Sequence, residues 1–153
     1  ALAGARETLG VDTSSPAIEA ARRTAQCNGV AECCRFDVAD IADVLAQNAR
    51  YDVIVLDPPA LAKSRGQEER ALGLYQALNK AAMQSLVEDG ILITSSCSHF
   101  VRAETFLDML KRASCAARRH ACLIEMRGAA PDHPVLLAMP ETAYLKCAVL
   151  RVR

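Results

Sequence analysis

Short apolar stretches of strand length alternate with longer helical stretches along almost the whole chain. Strands are predicted at 8–12, 31–38, 51–57, 91–97, 121–127 and 142–152. Four helices are predicted between the first five of these strands. The first starts near Ser14 or Ser15, and the others lie at 40–49, within 68–88 and at 103–119. Such alternation predicts βαβ units and a mostly parallel sheet. The last two strands are joined by residues 128–141 without a helix, so we expect an antiparallel pair at one edge.

The composition is that of one domain with a sizeable core, and we expect a single domain over residues 1–153. The 153 residues are 52% hydrophobic, and 18 Lys and Arg balance 18 Asp and Glu, so net charge does not indicate a nucleic-acid partner. No stretch has the apolar length of a membrane helix, so we expect no membrane partner. Seven cysteines without a Cys-x-x-Cys pair favour reduced cytoplasmic thiols over disulfides, and we expect no metal. Residues 1–7 resemble the end of a helix, which predicts a chain truncated at its N-terminus, without the first strand and Gly-rich turn.

The segment "LDPPALAKSR" (56–65) places a carboxylate directly after a buried strand. Proline fixes its own φ and pushes the preceding residue into an extended conformation, so Asp57 should have few conformations before Pro58 and Pro59. A carboxylate on a rigid loop suits recognition of a planar base that carries an amine or ring N–H donor. The alternative is that the prolines only end the strand.

Three other predicted strands also end in polar or reactive residues. Ligands bind beyond the carboxyl ends of strands in open α/β sheets. Asp12 is placed to accept hydrogen bonds from ribose hydroxyls, although it could also cap the next helix beside Ser14. Asp40 could bind an adenine amine or simply start a helix.

Cys97 lies in "TSSCSHF", where serines and His99 provide the polar, partly exposed surroundings that a reactive thiol needs. The other six cysteines lie mostly on predicted helices or among apolar strand residues and are interpreted as small core residues. His99 is either an orienting partner of the thiol or an ordinary loop residue.

The segments "LDPPALAKSR", "SSCSHF" and "RGAAPDHPVLLAMPETAYLKC" resemble the bacterial S-adenosylmethionine-dependent large-subunit (23S) ribosomal RNA cytosine-C5 methyltransferases. The segment "LGVDTSSPAIEAARRTAQCNG" resembles the ribose-binding part of the same family. The resemblance implies an α/β class I methyltransferase (Rossmann-like) fold, the cofactor S-adenosylmethionine, 23S ribosomal RNA as substrate and a cytoplasmic location, and it leaves a homodimer open. Family members begin with an RNA-binding domain and a Gly-rich first motif, which this sequence lacks.

The resemblance also implies roles for individual residues. Cys97 would be the nucleophile that adds to cytosine C6, and Asp57 would hold the target base. Cofactor contacts would come from Asp12, Asp40, Ile41, Asp57 and Pro58, and RNA contacts from Pro59, Lys63, Arg65 and His99. The family usually has a second histidine where Phe100 stands. Many other RNA cytosine-C5 methyltransferases have a cysteine where Ala60 stands, so the base that removes the C5 proton is not identified.

Three other functions stay open at the level of sequence. An amino-methyltransferase would use an Asp-Pro-Pro loop, but Ala60 replaces the aromatic residue that stacks on the base, and such an enzyme needs no thiol. A non-enzymatic folding or interaction module would differ by not binding the cofactor. A nicotinamide-dependent oxidoreductase shares the predicted sheet but has no use for the Asp-Pro-Pro loop.

Overall fold

The computed structural model describes residues 1–62 and 64–153, and for Arg65 it describes the backbone alone. Six strands and four helices follow one another in this part of the chain. The strands are β1 (Thr8–Asp12), β2 (Cys34–Val38), β3 (Tyr51–Leu56), β4 (Leu86–Ser96), β5 (Ala121–Arg127) and β6 (Lys146–Val152). The helices are α1 (Ser15–Cys27), α2 (Ile41–Leu45), α3 (Glu68–Ser85) and α4 (Ala103–Ala117). Short 3-10 turns occur at Ala31–Cys33, Arg65–Gln67 and Pro140–Thr142.

The chain divides into two compact units, Ala1–Gln47 and Asn48–Arg153. The first contains β1 and β2, which pair in parallel, with α1 as the connection between them. Ser14 caps α1 as predicted, since its side chain accepts a hydrogen bond from the Ala17 amide at 3.4 Å, and Pro16 lies in the first turn. The prediction of one domain over residues 1–153 stays a prediction.

The second unit contains a four-stranded sheet in the order β3-β4-β6-β5. β3 and β4 are parallel, whereas β6 is antiparallel to both β4 and β5. The predicted antiparallel pair at one edge is therefore confirmed, and β6 adds a second antiparallel pairing on its other side. The described strands thus form a parallel two-stranded sheet and a mixed four-stranded sheet, with two parallel and two antiparallel pairs between them.

The core of the second unit lies between this sheet and helices α3 and α4. Tyr75 of α3 and Phe106 of α4 are both fully buried, and their rings meet edge to face with centroids 6.1 Å apart. On α3, Tyr75 and Ala82 are buried, whereas Leu72 and Leu78 are partly exposed.

The boundary between α3 and β4 differs from the prediction. We expected a helix within 68–88, ended by Asp89–Gly90, and a strand at 91–97; instead the helix ends at Ser85 and the strand begins at Leu86. Leu86 is fully buried and pairs with Tyr51, and the next pair is Val53 with Ile91, so residues 87–90 bulge opposite Asp52. Asp89 has a left-handed φ of 59° in this bulge. Asp89–Gly90 therefore marks a turn inside β4 rather than the end of α3. The helix ends earlier because the pairing of Leu86 with β3 outweighs the local helix propensity.

The continuous apolar sequence of β3 predicts a strand of the kind found in the middle of a parallel sheet. In the described structure it is an edge strand, paired with β4 alone, and Val53 and Val55 are 54% and 63% exposed. An apolar stretch indicates that both faces of a strand suit burial, but it does not determine which elements cover them. The interpretation as a central strand is therefore wrong for the described sheet.

Candidate functional site

In the second unit, Asp57 and Cys97 follow the carboxyl ends of the neighbouring strands β3 and β4. The strands are parallel, with Leu56 paired to Thr94, so Asp57 and Cys97 follow neighbouring strand ends on the same side of the sheet. The Ser95 hydroxyl donates to the Asp57 carboxylate, and it also reaches the Leu56 carbonyl at 3.4 Å. Asp57 is exposed whereas Ser95 is buried. Ser95 therefore anchors one oxygen of a carboxylate that otherwise faces outward.

A buried hydroxyl network includes the two serines that flank Cys97 in the sequence. The Ser96 hydroxyl donates to the Tyr75 hydroxyl at 3.1 Å, and the Tyr75 and Ser98 hydroxyls are also 3.1 Å apart. The Ser98 hydroxyl accepts a hydrogen bond from the Ala62 amide at 3.2 Å. All three hydroxyl side chains are essentially inaccessible to solvent. The network therefore joins the Asp-Pro-Pro loop to the segment on either side of Cys97 and fixes their relative positions.

Cys97 itself is half-buried and carries a free thiol. The partly exposed position predicted for the thiol is therefore confirmed. Its neighbours Ser96 and Ser98 point into the core and are buried rather than exposed to solvent. The sequence shows that these residues are polar, but it does not show that their side chains point into the core.

Lys146, the first residue of β6, is a second buried polar group at this site. Its ammonium group donates to the carbonyls of Ser98 and Tyr144, both at 2.7 Å. Burial lowers the pKa of Lys146, and negative charge on Cys97 opposes that shift. The adjacent thiol of Cys147 has its pKa raised, mainly by burial and in part by Asp57.

His99 is exposed and stacks on the ring of Tyr144, with centroids 4.5 Å apart and planes 27° from parallel. Beside this pair is a cavity of about 600 Å³, whose lining includes His99, Arg102, Arg127, Glu141, Tyr144 and Lys146. The stacking gives His99 a defined orientation, although its predicted role in RNA contact stays a prediction.

In the first unit, Asp12 and Asp40 lie at the carboxyl ends of the parallel pair β1 and β2. The Asp12 carboxylate accepts from the Ser14 amide at 2.7 Å, and the Asp40 carboxylate accepts from the Ala42 amide at 2.8 Å, where Asp40 caps α2. Each bond uses one oxygen, Oδ1, and both side chains are exposed. Capping and ligand binding are therefore compatible, since a carboxylate has a second oxygen that can accept a hydroxyl or amine hydrogen bond.

The remaining predicted site residues have the following places. Ile41 is the first residue of α2 and is partly exposed, as is Pro58, while Pro59 is exposed. Arg65 begins a 3-10 turn. Lys63 lies outside the described residues. Their predicted contacts with cofactor or RNA stay predictions.

The interpretation of the other six cysteines as core residues is wrong. Cys27, Cys115 and Cys122 are exposed, and Cys33, Cys34 and Cys147 are partly exposed. A cysteine on a helix or strand is buried only if its face turns inward, and membership of an apolar segment does not determine that. A free thiol therefore does not distinguish Cys97 from the other six cysteines, whereas its polar neighbours at a strand end do.

Ser95, Tyr75 and Lys146 were missed as site residues. The hydroxyl partners of Tyr75 are distant from it in sequence, and Lys146 was predicted only as part of the last strand. The available signal was the lysine inside an otherwise apolar strand, "YLKCAVL", because lysine is almost never fully buried without a partner.

Among residues 1–62 and 64–153 there is no group of three or more His, Cys, Asp or Glu side chains that could hold a metal ion. In the same part of the chain, no helix combines the length and apolar character needed to cross a membrane.

The fold is that of a class I, Rossmann-like methyltransferase domain. The candidate methyltransferase SMU.776, crystallised in complex with SAH, has a similar structure, with a TM-score of 0.81 and 19% identity over 97% of this chain and 40% of that chain. A methyltransferase homologue from Pyrococcus horikoshii is also similar, with a TM-score of 0.70 and 17% identity over 95% of this chain and 53% of that chain. The predicted fold class is therefore confirmed.

The family model of the RMKL-like methyltransferase domain, UPF0020, matches residues 3–127, and the chain belongs to this family. A relative from Aeromonas salmonicida, named ribosomal RNA large subunit methyltransferase I, is 37% identical over 155 residues, covering 98% of this chain and 39% of that protein. The chain thus spans about two fifths of the length of this relative.

Proposed function

We propose that this chain carries the catalytic residues of an S-adenosylmethionine-dependent methyltransferase that acts on cytosine C5 in large-subunit ribosomal RNA. The observation that carries the proposal is the placement of Cys97 and Asp57 at neighbouring strand ends, joined by Ser95 and by the buried network of Tyr75. The similarity to a ribosomal RNA large subunit methyltransferase supports the substrate class.

The proposed cofactor contacts come from this chain's own carboxylates. Asp12 would accept from the ribose hydroxyls and Asp40 from the adenine amine, each through the oxygen that does not bind the backbone. Exposed carboxylates at the carboxyl ends of parallel strands fit these donors. When bound, S-adenosylmethionine supplies a methyl group from its sulfonium.

Cytosine C5 needs activation because it is a poor nucleophile. The Cys97 thiolate would add to C6, forming a C6–S bond and shifting an electron pair towards C5. C5 would then take the methyl group from the bound cofactor by cleavage of its S–CH3 bond, with S-adenosylhomocysteine as the leaving group. Loss of the C5 proton to a base re-forms the C5–C6 double bond and expels the thiolate. Asp57, held by Ser95, accepts from the N4 amine of the cytosine and so orients the base for attack.

The decisive experiment is covalent trapping. Large-subunit ribosomal RNA transcribed with 5-fluorocytidine is incubated with cofactor and with the 153-residue chain or the full-length product of its gene. Fluorine at C5 cannot leave as a proton does, so we expect a stable protein–RNA adduct, which peptide mass spectrometry locates at Cys97. Cys97→Ala should abolish the adduct and the formation of 5-methylcytosine, whereas the matched control Cys115→Ala, at an exposed position of α4, should retain both.

Two results would contradict the proposal. A Cys97→Ala protein that still forms 5-methylcytosine would remove the nucleophile from the mechanism. Methylation of the exocyclic nitrogen, without an adduct, would instead support a base amino-methyltransferase.

A further inference from the structure

The cavity beside the stacked rings of His99 and Tyr144 is not used by the proposed methyl transfer. Its volume of about 600 Å³ is within the range of pockets that enclose a small organic molecule. His99 follows Cys97 by two residues, so the Cα atoms of these residues lie at most about 7 Å apart. A group that contacts His99 is therefore close to the strand end that carries the thiol.

The buried ammonium group of Lys146 fixes the two backbone segments that carry this stacked pair. It donates to the carbonyl of Ser98, directly before His99, and to the carbonyl of Tyr144 itself, both at 2.7 Å. An ammonium group removed from water needs such acceptors, and Lys146 is only 5% exposed. The two rings are thereby held with centroids 4.5 Å apart and planes 27° from parallel, so the wall of the cavity includes a preformed aromatic surface.

Charged side chains line the same cavity around the stacked pair. Arg102 is exposed and forms no ion pair with any described residue, whereas Arg127 is bonded to Glu125 at 2.8 Å. A guanidinium group binds phosphate oxygens through its parallel N–H donors. Glu104 and Glu141 also line the cavity, and a carboxylate accepts hydrogen bonds from an exocyclic amine or a ribose hydroxyl. The lining therefore offers a partner to each of the three parts of a nucleotide.

We propose that this cavity is the subsite for a nucleotide that neighbours the target cytosine in the RNA strand. Its base stacks on the pair of His99 and Tyr144, as unstacked bases do on aromatic side chains in the recognition of single-stranded RNA. Its phosphate is bound by Arg102, the exposed arginine of the lining that has no carboxylate partner. Removal of the neighbouring base from its strand leaves the target cytosine unstacked on that side. The inference rests on the proposed function, in which RNA is the substrate.

The test compares the binding of two RNA probes by fluorescence anisotropy at low ionic strength. Both probes are single-stranded, nine nucleotides long and labelled with fluorescein, with one central cytosine among adenosines. The second probe lacks the two bases that flank this cytosine but keeps their sugars and phosphates. The 153-residue chain and the full-length product of its gene should both bind the second probe about tenfold more weakly, because a base–aromatic stack is lost.

Replacement of either ring should remove the distinction between the probes. His99→Ala should lower the affinity for the complete probe about tenfold and leave the two probes equal. Tyr144→Leu should do the same, whereas Tyr144→Phe keeps the ring and should retain the distinction. The matched control His120→Ala removes an exposed imidazole outside the cavity and should change neither affinity. Circular dichroism checks the fold, and if Tyr144→Leu is unfolded, the exposed His99 makes the same measurement.

Arg102→Gln tests the phosphate contact separately. It should weaken the binding of both probes by the same factor, and the slope of log K against log salt concentration should fall by about one. Arg112→Gln is the matched control, since it changes the net charge equally at an exposed position further along α4. It should leave the slope in place, and equal changes in the two variants would refute the phosphate contact of Arg102.

Three results would overturn the subsite: a complete probe that does not bind, equal binding of the two probes by the unmodified chain, or an undiminished affinity in His99→Ala. Adenosine monophosphate that binds as tightly as the complete probe would also overturn it, because the cavity would then be a site for a free nucleotide. These titrations involve no methyl transfer, so their outcome is independent of covalent trapping. An adduct at Cys97 with an unchanged His99→Ala protein would retain the proposed function and refute the subsite. Loss of the probe distinction in His99→Ala without an adduct would do the reverse.

Discussion

Ser95 illustrates how one side chain at the end of a strand can position another. It is 8% exposed, and its hydroxyl donates to the exposed Asp57 carboxylate. The carboxylate is thereby oriented from beneath, while Pro58 restricts the backbone that carries it. We infer that orientation of Asp57 depends on the tertiary contact as much as on the Asp-Pro-Pro sequence.

Replacing Ser95 with alanine should therefore affect activity more than folding. A hydrogen bond to a charged group contributes about 1.5–3 kcal/mol, so we expect kcat/KM for methyl transfer to fall by about tenfold or more. The matched control is Ser114→Ala, which also removes a part-buried hydroxyl, one that donates to the Arg119 carbonyl at 2.6 Å. That change should lower the free energy of unfolding in urea but leave kcat/KM unaltered, and equal kinetic losses in both variants would contradict the role of Ser95.

At the scale of elements, two arginines in the connection from α4 to β5 have different structural roles. Arg119 donates to the carbonyls of Leu86 and Val87 at 3.0 and 2.9 Å, which ties the beginning of β4 to the end of α4. Arg118, one residue earlier, is exposed and has left-handed backbone angles, φ 55° and ψ 41°. A residue with a Cβ is strained in this conformation, whereas glycine is not.

Arg118→Gly should for this reason stabilise the protein. We expect the free energy of unfolding to rise by about 0.5–1 kcal/mol, because relief of strain exceeds the entropy that glycine loses on folding. The same substitution at the exposed Arg112, inside α4, should lower it by about 1 kcal/mol. Urea unfolding of both variants measures the two signs, and a destabilised Arg118→Gly protein would show that the arginine side chain contributes more than its backbone costs.

At the scale of the whole molecule, the four-stranded sheet has two edges with different protection. β3 presents the exposed Val53 and Val55 in a regular ladder from Val53 to Leu56. The opposite edge strand, β5, also exposes Leu123 and Ile124, but its pairing is irregular between Leu123 and Glu125, and Glu125 and Arg127 add charge. Irregularity and charge both hinder pairing with another edge.

We therefore expect the 153-residue chain to self-associate through β3. Val53→Thr combined with Val55→Thr keeps β propensity but removes apolar surface, and it should lower the weight-average mass measured by sedimentation equilibrium at high protein concentration. The matched double change Leu123→Thr and Ile124→Thr on β5 should leave that mass as it was. Equal effects at both edges would indicate unspecific association through apolar surface.

Local sequence signals predict the strands and helices and two residues of the candidate site. The spans 8–12 and 121–127, the helix cap at Ser14 and the antiparallel end of the sheet follow from local signals: periodicity, capping and a connection without a helix. The positions of Asp57 and Cys97 also follow, because strand ends are recognisable where an apolar stretch stops.

The contacts between side chains depend on how distant segments assemble in the fold. Tyr75 reaches Ser96 and Ser98 across more than twenty residues of sequence, and Lys146 reaches Ser98 across 48. The beginning of β4 at Leu86 and the exposure of Val55 were likewise set by pairing between distant segments. A periodic pattern predicts which faces of an element suit burial. The partner that covers such a face is fixed only when the strands assemble. The same holds for the partner that hydrogen-bonds a buried hydroxyl or ammonium group.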